Sequence, residues 1–541
     1  MNNSVFSFSS PQNEPVKSYL KGSPERVALE AELQRQMGEC IEIPLIIGGK
    51  EVRTGNMGKI VCPHDHQHVL ATYHKAGEKE VKMAIKAAMA AKKEWADTPW
   101  TTRAAINLKI AELLSTKYRA LINAACMLGQ SKNFFQAEID AACENIDFLR
   151  YNVHYASQIY AMQPKSPQGT IDTNEYRPLE GFILAITPFN FTSIACNLNM
   201  TPVLMGNVTL WKPSSTAILS NYYMMKIMQE AGVPAGVVNF LPGQGALIGK
   251  VALNSPDFGG IHFTGSSSTF YTLWKEQGRN VEKYRTFPRM VGETGGKDFI
   301  FVHPTAVAKE VATAAFCGAF EYAGQKCSAA SRMYINRSLW KDVLPLMKEM
   351  VDEIKVGDVL DPMNYVNAVI DESSFDKCAE HIEYAINSPD AKIVIGGKHD
   401  KSKGFFIYPT VIETTDPRYK SMVEEIFGPI LTVYVYEDGD VDKAVKLCGN
   451  TSPYGLTGSV FGQDRMAVEN ICDALRYSAG NFYINDKPTG AVVGMQPFGG
   501  ARASGTNDKA GSALNLFRWI TPRCIKETLV PATDYRYPYQ K

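Results

Sequence analysis

The sequence predicts an α/β fold in two lobes, and three observations support this prediction. Short apolar runs alternate with helical patterns between residues 177 and 292, and the alternation returns from about residue 298 to 480. Alternating strands and helices are typical of mostly parallel sheets with right-handed crossovers. The chain has 541 residues, a length sufficient for roughly two to four domains.

The region before residue 177 is predicted to be largely helical. Residues 1–40 are polar and helical in part, and PLIIGGKEVRTG (44–55) predicts a strand, a Gly-Gly turn and a return strand. From residue 80 to 130, Ala, Lys, Glu and Leu recur at helical spacing. A further helix over 137–160 is predicted to carry Glu144.

Four apolar runs of the first lobe are strand-like: GFILAITP, NVTLWKP, GVVNFLPG and GIHFTGS. Ligands of parallel sheets bind beyond the carboxyl ends of the strands. The residues that follow these runs are therefore the first candidates for a binding site: residues 187–190, 212–215, 243–245 and 265–267.

The second lobe has strand-like runs from DFIFVHP to GNFYIND, with helices between them. A cleft between two lobes is a common place for an active site. The C-terminal RCIKETL is predicted to be a strand that completes the sheet of a neighbouring subunit.

Composition and charge exclude several classes of partner. Lys plus Arg and Asp plus Glu number 56 each, so the formal net charge is zero, and we expect neither nucleic acid nor membrane as a partner. The sequence contains no run of about 18 apolar residues, which is the length that a membrane-spanning helix needs. The N-terminus has no secretory pattern and its first Lys is Lys17, so no targeting segment is clear. We expect the bacterial cytoplasm or the mitochondrial matrix.

Two motifs that suggest a cofactor or a metal fit structural roles better. In GQGALIGK (243–250) the third glycine is one residue late for a dinucleotide fingerprint, so the segment is interpreted as a turn. His64, His66 and His68 would share one face of a strand, but their stretch lies between turn-like segments. It is interpreted as a polar strand edge, and no metal is expected.

FTGSSSTF (263–270) is a stronger candidate for ligand binding. A strand ends there, Gly265 permits a tight turn, and Ser266 leads into a helix. Free N–H groups at the start of a helix bind phosphate well.

Four segments offer side chains suited to covalent catalysis. TPFNFT contains Asn190 just past a strand end, GETGGKD contains Glu293 among glycines, and EEIFGP contains Glu425 and Phe427. GQKCSA places Cys327 among small and polar neighbours, in a chain whose 11 cysteines include no C-x-x-C and are expected to be reduced. Each residue alone more often has a structural role, so their joint occurrence carries the argument.

These segments together resemble the aldehyde dehydrogenase superfamily. The resemblance runs from about residue 40 to the C-terminus through PFN, WKPS, FTGS, GETGGK, GQKCSA and EEIFGP. It is greater still for the branch that oxidises L-glutamate γ-semialdehyde, through GETGGKDFIFVHP, AGQKCSAASRMYI and QPFGGARASGTND.

The resemblance implies an aldehyde dehydrogenase fold with three parts. A Rossmann-like NAD-binding domain is expected over 1–160 and 177–291, and an α/β catalytic domain over 292–488. Residues 161–176 and 489–541 are expected to form a small β oligomerisation element and the loop that anchors the substrate. We therefore expect a homodimer or a higher homo-oligomer.

Each catalytic candidate has an expected role in the oxidation of an aldehyde through a thioester. Cys327 is expected to attack as the thiolate, with Lys326 and local backbone dipoles lowering its pKa. Asn190 and the Cys327 backbone N–H are expected to hold the oxyanion. Glu293 is expected to activate the hydrolytic water, with its pKa raised in the cleft.

By resemblance, NAD is held by residues at strand ends and in the EEIFGP segment: Thr187, Lys212, Gly265, Ser266, Glu425 and Phe427. Lys212 and Glu425 suit ribose hydroxyls, and Phe427 is expected to pack near the nicotinamide. Ser215 stands where many relatives carry an acid, and a serine does not repel a 2′-phosphate. NADP therefore stays open.

The resemblance also assigns the substrate residues. The α-carboxylate is expected to meet Ser328 and backbone N–H groups around Gly490, while Phe498 flanks the aliphatic chain. Ala491 stands where a serine is usual, and the missing hydrogen bond is worth about 1.5–3 kcal/mol. Glu144 has two open interpretations, as the partner of the α-ammonium or as a solvated helix acid.

The resemblance implies NAD-dependent oxidation of L-glutamate γ-semialdehyde, from 1-pyrroline-5-carboxylate, to L-glutamate in the second step of proline catabolism. Two alternatives stay open. One is an NAD(P)-dependent dehydrogenase of another semialdehyde, which Ala491 favours. The other is a cofactor-free cysteine hydrolase, although no nearby motif offers its histidine base. A purely structural role does not require this catalytic set.

Overall fold

Two seven-stranded sheets, each with its own apolar core, form the two lobes. The computed structural model describes residue 8 and residues 10–541. Most neighbouring strands are parallel and are joined through helices, which confirms the predicted α/β class. Among the described helices, none combines the length and apolar character that crossing a bilayer requires.

The first sheet is parallel over five strands and antiparallel at one edge. Its central strands are buried on both faces, which explains why the sequence shows continuous apolar runs there. Across the sheet the strands are Arg289–Glu293, Phe258–Thr264, Phe182–Ile186, Thr209–Lys212, Val238–Phe240, Leu45–Ile47 and Lys50–Val52. The last two are the predicted hairpin, joined through Gly48 and Gly49, whose φ angles are positive.

Strand order in the first sheet reverses beside Phe182–Ile186. The next strand in the chain, Thr209–Lys212, lies on one side of it, and Phe258–Thr264 lies on the other. Crossovers on opposite sides leave a crevice at the carboxyl ends of these strands. This is the Rossmann-like arrangement that the sequence predicts.

The second sheet is parallel except for one edge strand. Across the sheet its strands are Ala391–Ile395, Thr410–Thr414, Ile430–Tyr436, Ala330–Asn336, Asp298–Val302, Thr457–Phe461 and Asn481–Ile484. The chain crosses from the first sheet, at Glu293, to the second, at Asp298, through residues 294–297 alone. The carboxyl ends of the first sheet therefore meet the amino ends of the second.

Helices cover the faces of both sheets. The α-helices are Pro24–Met37, Glu78–Asp97, Trp100–Ser115, Arg119–Gln130, Phe134–Ala137, Asn145–Ala161, Thr192–Leu204, Ile218–Ala231, Gly245–Leu253, Ser267–Arg279, Ala308–Phe320, Arg337–Glu353, Glu372–Ile386, Lys420–Val423, Val441–Asn450, Arg465–Ala474 and Ala513–Phe517. The helical pattern after residue 100 is interrupted at Thr116, whose φ of −116° and ψ of −87° are not helical. The predicted helix over 137–160 contains a π-helical segment, Glu138–Glu144.

The remaining strands form small sheets around the lobes. They are Ile41–Ile43, Met57–Cys62 and Asp65–His74, and the pairs Lys355–Val356 with Asn364–Val366, His399–Asp400 with Phe406–Ile407, and Tyr454–Gly455 with Ala501–Arg502. RCIKETL is a strand, as predicted, but its partner in this structure belongs to the same chain: Ile520–Thr528 pairs antiparallel with Thr170–Pro178. This ladder satisfies one backbone edge of the strand, and pairing with a neighbouring subunit stays a prediction. The predicted domain boundaries stay a prediction.

Candidate active site

A cavity of about 770 Å³ lies where the two sheets meet. This volume is within the range of small-molecule sites. Predicted catalytic and cofactor residues line it: Thr187, Asn190, Lys212, Gly265, Ser266, Cys327, Glu425 and Phe427. The structure thus gathers at one place residues that are up to 240 positions apart in the chain, from 187 to 427.

Cys327 follows a turn of left-handed backbone. Tyr322 and Ala323 have φ of 52° and 51°, a conformation that costs energy for residues with a side chain. Gly324, with φ of 65°, must be glycine because a Cβ there would lie 2.3 Å from the Gly428 carbonyl oxygen. This strained turn ends the preceding helix and presents Cys327 to the cavity.

Asn190 is tied directly to the loop that carries the cysteine. Its side-chain Nδ2 donates a hydrogen bond to the Gln325 carbonyl oxygen at 3.1 Å. Gln325 is held in turn, because its Oε1 accepts from the Ile370 N–H at 2.8 Å. A primary amide has two hydrogens, so Asn190 keeps a second one for an oxyanion formed on Cys327.

The prediction that Lys326 lowers the pKa of the thiol is wrong. Lys326 Nζ donates to Glu321 Oε2 at 2.9 Å, so a carboxylate already matches its charge. Burial raises the pKa of the Cys327 thiol, and the carboxyls of Asp298 and Glu293 raise it further. In this state the cysteine is a neutral thiol, and forming the thiolate requires a base or a bound ligand.

Glu293 ends a strand of the first sheet and points among glycines. Its Oε2 accepts a hydrogen bond from the Gly500 N–H at 2.8 Å. A Cβ at Gly499 or Gly505 would come within 3.1 Å of the carboxylate oxygens, so the glycines leave room for the carboxyl group. Burial raises the pKa of Glu293 well above its usual value, as the sequence analysis predicts, and a raised pKa suits a general base near neutral pH.

Two helix starts and one lysine form the polar part of the cavity. The helices Gly245–Leu253 and Ser267–Arg279 both begin at its wall, and Ser266 caps the second, accepting from the Thr269 N–H at 3.3 Å. Burial lowers the pKa of Lys212 to about 8. Helix N-termini beside an ammonium group fit the phosphates and ribose of a dinucleotide. GQGALIGK is therefore more than a turn, since a helix begins at its third residue, Gly245, at the cavity.

The other cofactor candidates lie around the same cavity. Thr187 Oγ1 accepts from the indole N–H of Trp211 at 3.0 Å. Glu425 Oε1 accepts from the Gly296 N–H at 3.0 Å, and burial raises the pKa of its carboxyl group. Phe427 has a positive φ of 63° and packs edge-on against Phe189, with ring centroids 5.6 Å apart. These rings form an apolar wall that suits a nicotinamide ring.

Two of the substrate candidates, Ser328 and Gly490, are brought together through Thr489. The hydroxyls of Ser328 and Thr489 are 2.8 Å apart and buried. Gly490 follows with φ of 94°, while Phe498 is fixed by two backbone hydrogen bonds with Ala510, of 3.0 and 2.8 Å. The sequence predicts the loop around Gly490 but not the role of the Thr489 hydroxyl, since nothing in the sequence pairs it with Ser328.

Glu144 is not a solvated helix acid. Ser193 Oγ lies 2.8 Å from Glu144 Oε2 and 2.8 Å from Asp140 Oδ1. Burial, followed by the charge of Asp140, raises the pKa of Glu144 to about 8. Burial therefore favours the neutral carboxyl group of Glu144 at neutral pH, and Ser193 Oγ donates to its Oε2.

The histidine stretch makes ordinary structural contacts. His64 Nδ1 is 3.3 Å from Ser131 Oγ, and His66 Nε2 is 2.9 Å from the Lys401 carbonyl oxygen. Across residue 8 and residues 10–541, no three side chains of the metal-binding types come together.

The family to which this site belongs follows from comparison with known proteins. The model of the aldehyde dehydrogenase family matches residues 52–520, and the chain belongs to that family. It is 51% identical to a protein of Dictyostelium discoideum named Delta-1-pyrroline-5-carboxylate dehydrogenase, mitochondrial, over 98% of this chain and 95% of the relative. A human protein of the same name is 47% identical, over 98% of this chain and 94% of the relative.

Solved structures agree with the sequence relatives. The crystal structure of the Delta-pyrroline-5-carboxylate dehydrogenase from Mycobacterium tuberculosis bound with NAD superposes with a TM-score of 0.96, at 47% identity and with full coverage of both chains. A Thermus 1-pyrroline-5-carboxylate dehydrogenase with bound NAD has a TM-score of 0.90 at 33% identity, over 97% of this chain and 100% of the other. The predicted aldehyde dehydrogenase fold is confirmed.

Proposed function

We propose that the protein oxidises L-glutamate γ-semialdehyde, the open form of 1-pyrroline-5-carboxylate, to L-glutamate with NAD. The proposal is carried by Cys327 and Asn190 in one cavity, with the Glu293 carboxyl group near enough to raise the pKa of the thiol, in a chain similar over nearly its whole length to proteins of that name. When bound, NAD supplies the acceptor for a hydride.

The Cys327 thiol first loses its proton to solvent when the ligands bind, and the reaction begins with the resulting thiolate. Its sulfur adds to the aldehyde carbon, and the carbonyl oxygen becomes an oxyanion held by Asn190 Nδ2 and the Cys327 backbone N–H. One such donor typically lowers the barrier by about 2.7–4 kcal/mol. The oxyanion then collapses to a carbonyl, a hydride leaves, and a thioester remains on Cys327.

Hydrolysis of the thioester falls to Glu293. Its carboxylate takes a proton from water while the hydroxyl adds to the thioester carbon. The carbon–sulfur bond then breaks, which releases the acid and regenerates the cysteine. The Gly500 N–H, 2.8 Å from Oε2, holds the carboxylate and leaves its second oxygen for the water.

Groups beyond the reacting carbon suit an amino-acid aldehyde. The hydroxyls of Ser328 and Thr489, together with the N–H groups around Gly490, can donate to the α-carboxylate. Thr489 supplies a hydroxyl in the loop where Ala491 lacks one. Glu144 carries the negative charge for the α-ammonium once it has lost its proton.

A cofactor-free cysteine hydrolase is disfavoured by the lining of the cavity. Such an enzyme needs a histidine base beside the thiol. Within the described residues, no histidine lines the cavity that contains Cys327.

The test is purified protein with 1-pyrroline-5-carboxylate and NAD, followed by NADH absorbance. We expect NADH and glutamate in equal amounts, and neither with a Cys327→Ala variant. Wild-type protein that produces no more NADH than this control would reject the proposal. Faster turnover, by kcat/KM, of another semialdehyde would favour the first alternative instead.

The oligomeric state and the compartment belong to the same proposal. The strand Ile520–Thr528 is exposed over most of its length, and such a ribbon offers an edge to a second copy of the chain. A homo-oligomer is expected, and light scattering after gel filtration measures it. Relatives from Dictyostelium and human carry the word mitochondrial in their names, which supports the mitochondrial matrix, with a bacterial cytoplasm as the alternative.

A further inference from the structure

We infer that the buried ion pair of Lys132 and Asp140 is a positioning pair, which sets the oxyanion donor Asn190 against the nucleophile Cys327. Nζ of Lys132 donates to Oδ2 of Asp140 at 2.7 Å, and both side chains are at most 1% exposed. The inference rests on the proposed covalent mechanism at this site. It concerns two residues that line neither the cofactor cavity nor the reacting sulfur.

Asp140 holds the start of the helix that follows Asn190. Its Oδ2 accepts from the Thr192 N–H at 3.0 Å, and its Oδ1 accepts from the Ser193 N–H at 2.9 Å. These are the first two residues of the helix Thr192–Leu204. A carboxylate that binds free N–H groups at a helix N-terminus is favourably placed, and here it comes from another segment, the π-helix Glu138–Glu144.

Lys132 joins the same helix start to the nucleophile loop. Its ammonium lies 3.9 Å from the ring centroid of Phe191, next to Asn190 in the chain, and 4.5 Å from that of Tyr322. Tyr322 is the first left-handed residue of the strained turn before Cys327. An ammonium has three hydrogens, and here one faces a carboxylate while two aromatic faces surround the rest.

The Tyr322 ring has little else of polar character to hold it. Its hydroxyl group is buried with no hydrogen-bond partner. The ring is therefore located by packing and by Lys132. Since the turn it belongs to is strained, losing this contact allows the turn to relax and Cys327 to move relative to Asn190.

A charged pair at this place is not explained by stability. Burying an ion pair usually contributes little or is unfavourable compared with apolar residues of similar volume. The pair instead fixes the relative positions of three segments, because one carboxylate and one ammonium hold the π-helix, the Asn190 loop and the Cys327 loop at defined distances. Displacement of a catalytic group by about 1 Å can cost roughly 100-fold in rate.

The experiment compares Lys132→Met, Asp140→Asn and the double variant with wild type. Lys132→Met leaves an unpaired buried carboxylate, so we expect a lower melting temperature and a kcat about 100-fold lower. Kd for NAD should stay within about twofold, because Lys212 and Glu425 lie outside the pair. In the double variant the melting temperature should recover towards wild type, while kcat stays at least about tenfold low.

The matched control is Lys92→Met, which removes a half-buried lysine that donates to the Leu179 carbonyl oxygen, away from the cavity. We expect its kcat to equal that of wild type. Recovery of kcat together with the melting temperature in the double variant would overturn the inference, since charge balance alone would then explain the pair. A folded Lys132→Met variant with kcat within about twofold of wild type would do the same.

A second readout separates this inference from the proposed function. Cleavage of nitrophenyl acetate needs a thiolate and an oxyanion donor but no NAD. If the pair positions these groups, both single variants and the double variant should be slower in this assay too, even if wild type does not oxidise glutamate semialdehyde. Unchanged ester cleavage in the folded variants would contradict the inference whatever the natural substrate is.

Discussion

Replacing Glu293 by glutamine is expected to block thioester hydrolysis and leave the first turnover intact. Glutamine has the same shape, and its carbonyl oxygen can still accept the hydrogen bond that Oε2 accepts from the Gly500 N–H at 2.8 Å. The change removes the proton acceptor alone. General-base catalysis contributes about 10²- to 10⁴-fold, which corresponds to about 2.7–5.4 kcal/mol of activation free energy.

Rapid mixing of enzyme with substrate and NAD measures both steps. Acylation releases NADH before hydrolysis, so the Glu293→Gln variant should give a burst of about one NADH per active site. The steady rate after the burst should be about 10²- to 10⁴-fold lower than that of wild type. A Cys327→Ala variant should show neither phase and serves as the control.

The dependence on pH gives a second check on Glu293. Burial raises the pKa of its carboxyl group, and only the ionised form accepts a proton. The wild-type steady rate should therefore fall as pH drops below that raised pKa, and the glutamine variant should lose this dependence. A carboxyl group with a raised pKa in the folded state lowers stability as pH rises, so at pH 8 the variant should be no less stable than wild type.

Two results would refute this reasoning about Glu293. If the burst and the steady rate fall together, the carboxylate acts before acylation, for instance in deprotonating Cys327. If the steady rate falls by less than about threefold, another group activates the water.

Three further predictions concern the ligand groups. Lys212→Met should raise Kd for NAD by about 10- to 100-fold. Burial lowers the pKa of Lys212 to about 8, so the affinity of the wild type for NAD should weaken above that pH. The affinity of the variant, measured by the same titration, should not depend on pH in this range. Ala491→Ser should lower KM for glutamate semialdehyde by up to about tenfold, and Thr489→Val should raise it, with KM for an uncharged short aldehyde unchanged as the control. With a pKa of about 8 for Glu144, KM for glutamate semialdehyde should fall as pH rises through 8, and a Glu144→Gln variant that keeps this dependence would contradict the pairing with the ammonium.

Local sequence determined most of the strands and helices and predicted the reacting groups. Apolar runs that are buried on both faces predict the strands of the two sheets, and residues after the strands Phe182–Ile186, Thr209–Lys212 and Phe258–Thr264 predict the cavity wall. This works because a parallel sheet puts all its carboxyl ends at one edge. Cys327 and Glu293 were predicted from the joint occurrence of several segments and from the family resemblance that these segments carry, since small neighbours and glycines alone also fit a structural role.

Tertiary structure decided the electrostatics and the partners. Lys326 precedes Cys327 in the chain, yet its ammonium turns to Glu321, and the thiol is left among carboxyls. Ser328 and Thr489 are 161 positions apart and 2.8 Å apart in space. The pKa of a group depends on burial and on charges that packing brings near, and these are set by contacts between distant segments. The sequence therefore predicted which side chains react, and only the packing of the two lobes established their electrostatic surroundings and their hydrogen-bond partners.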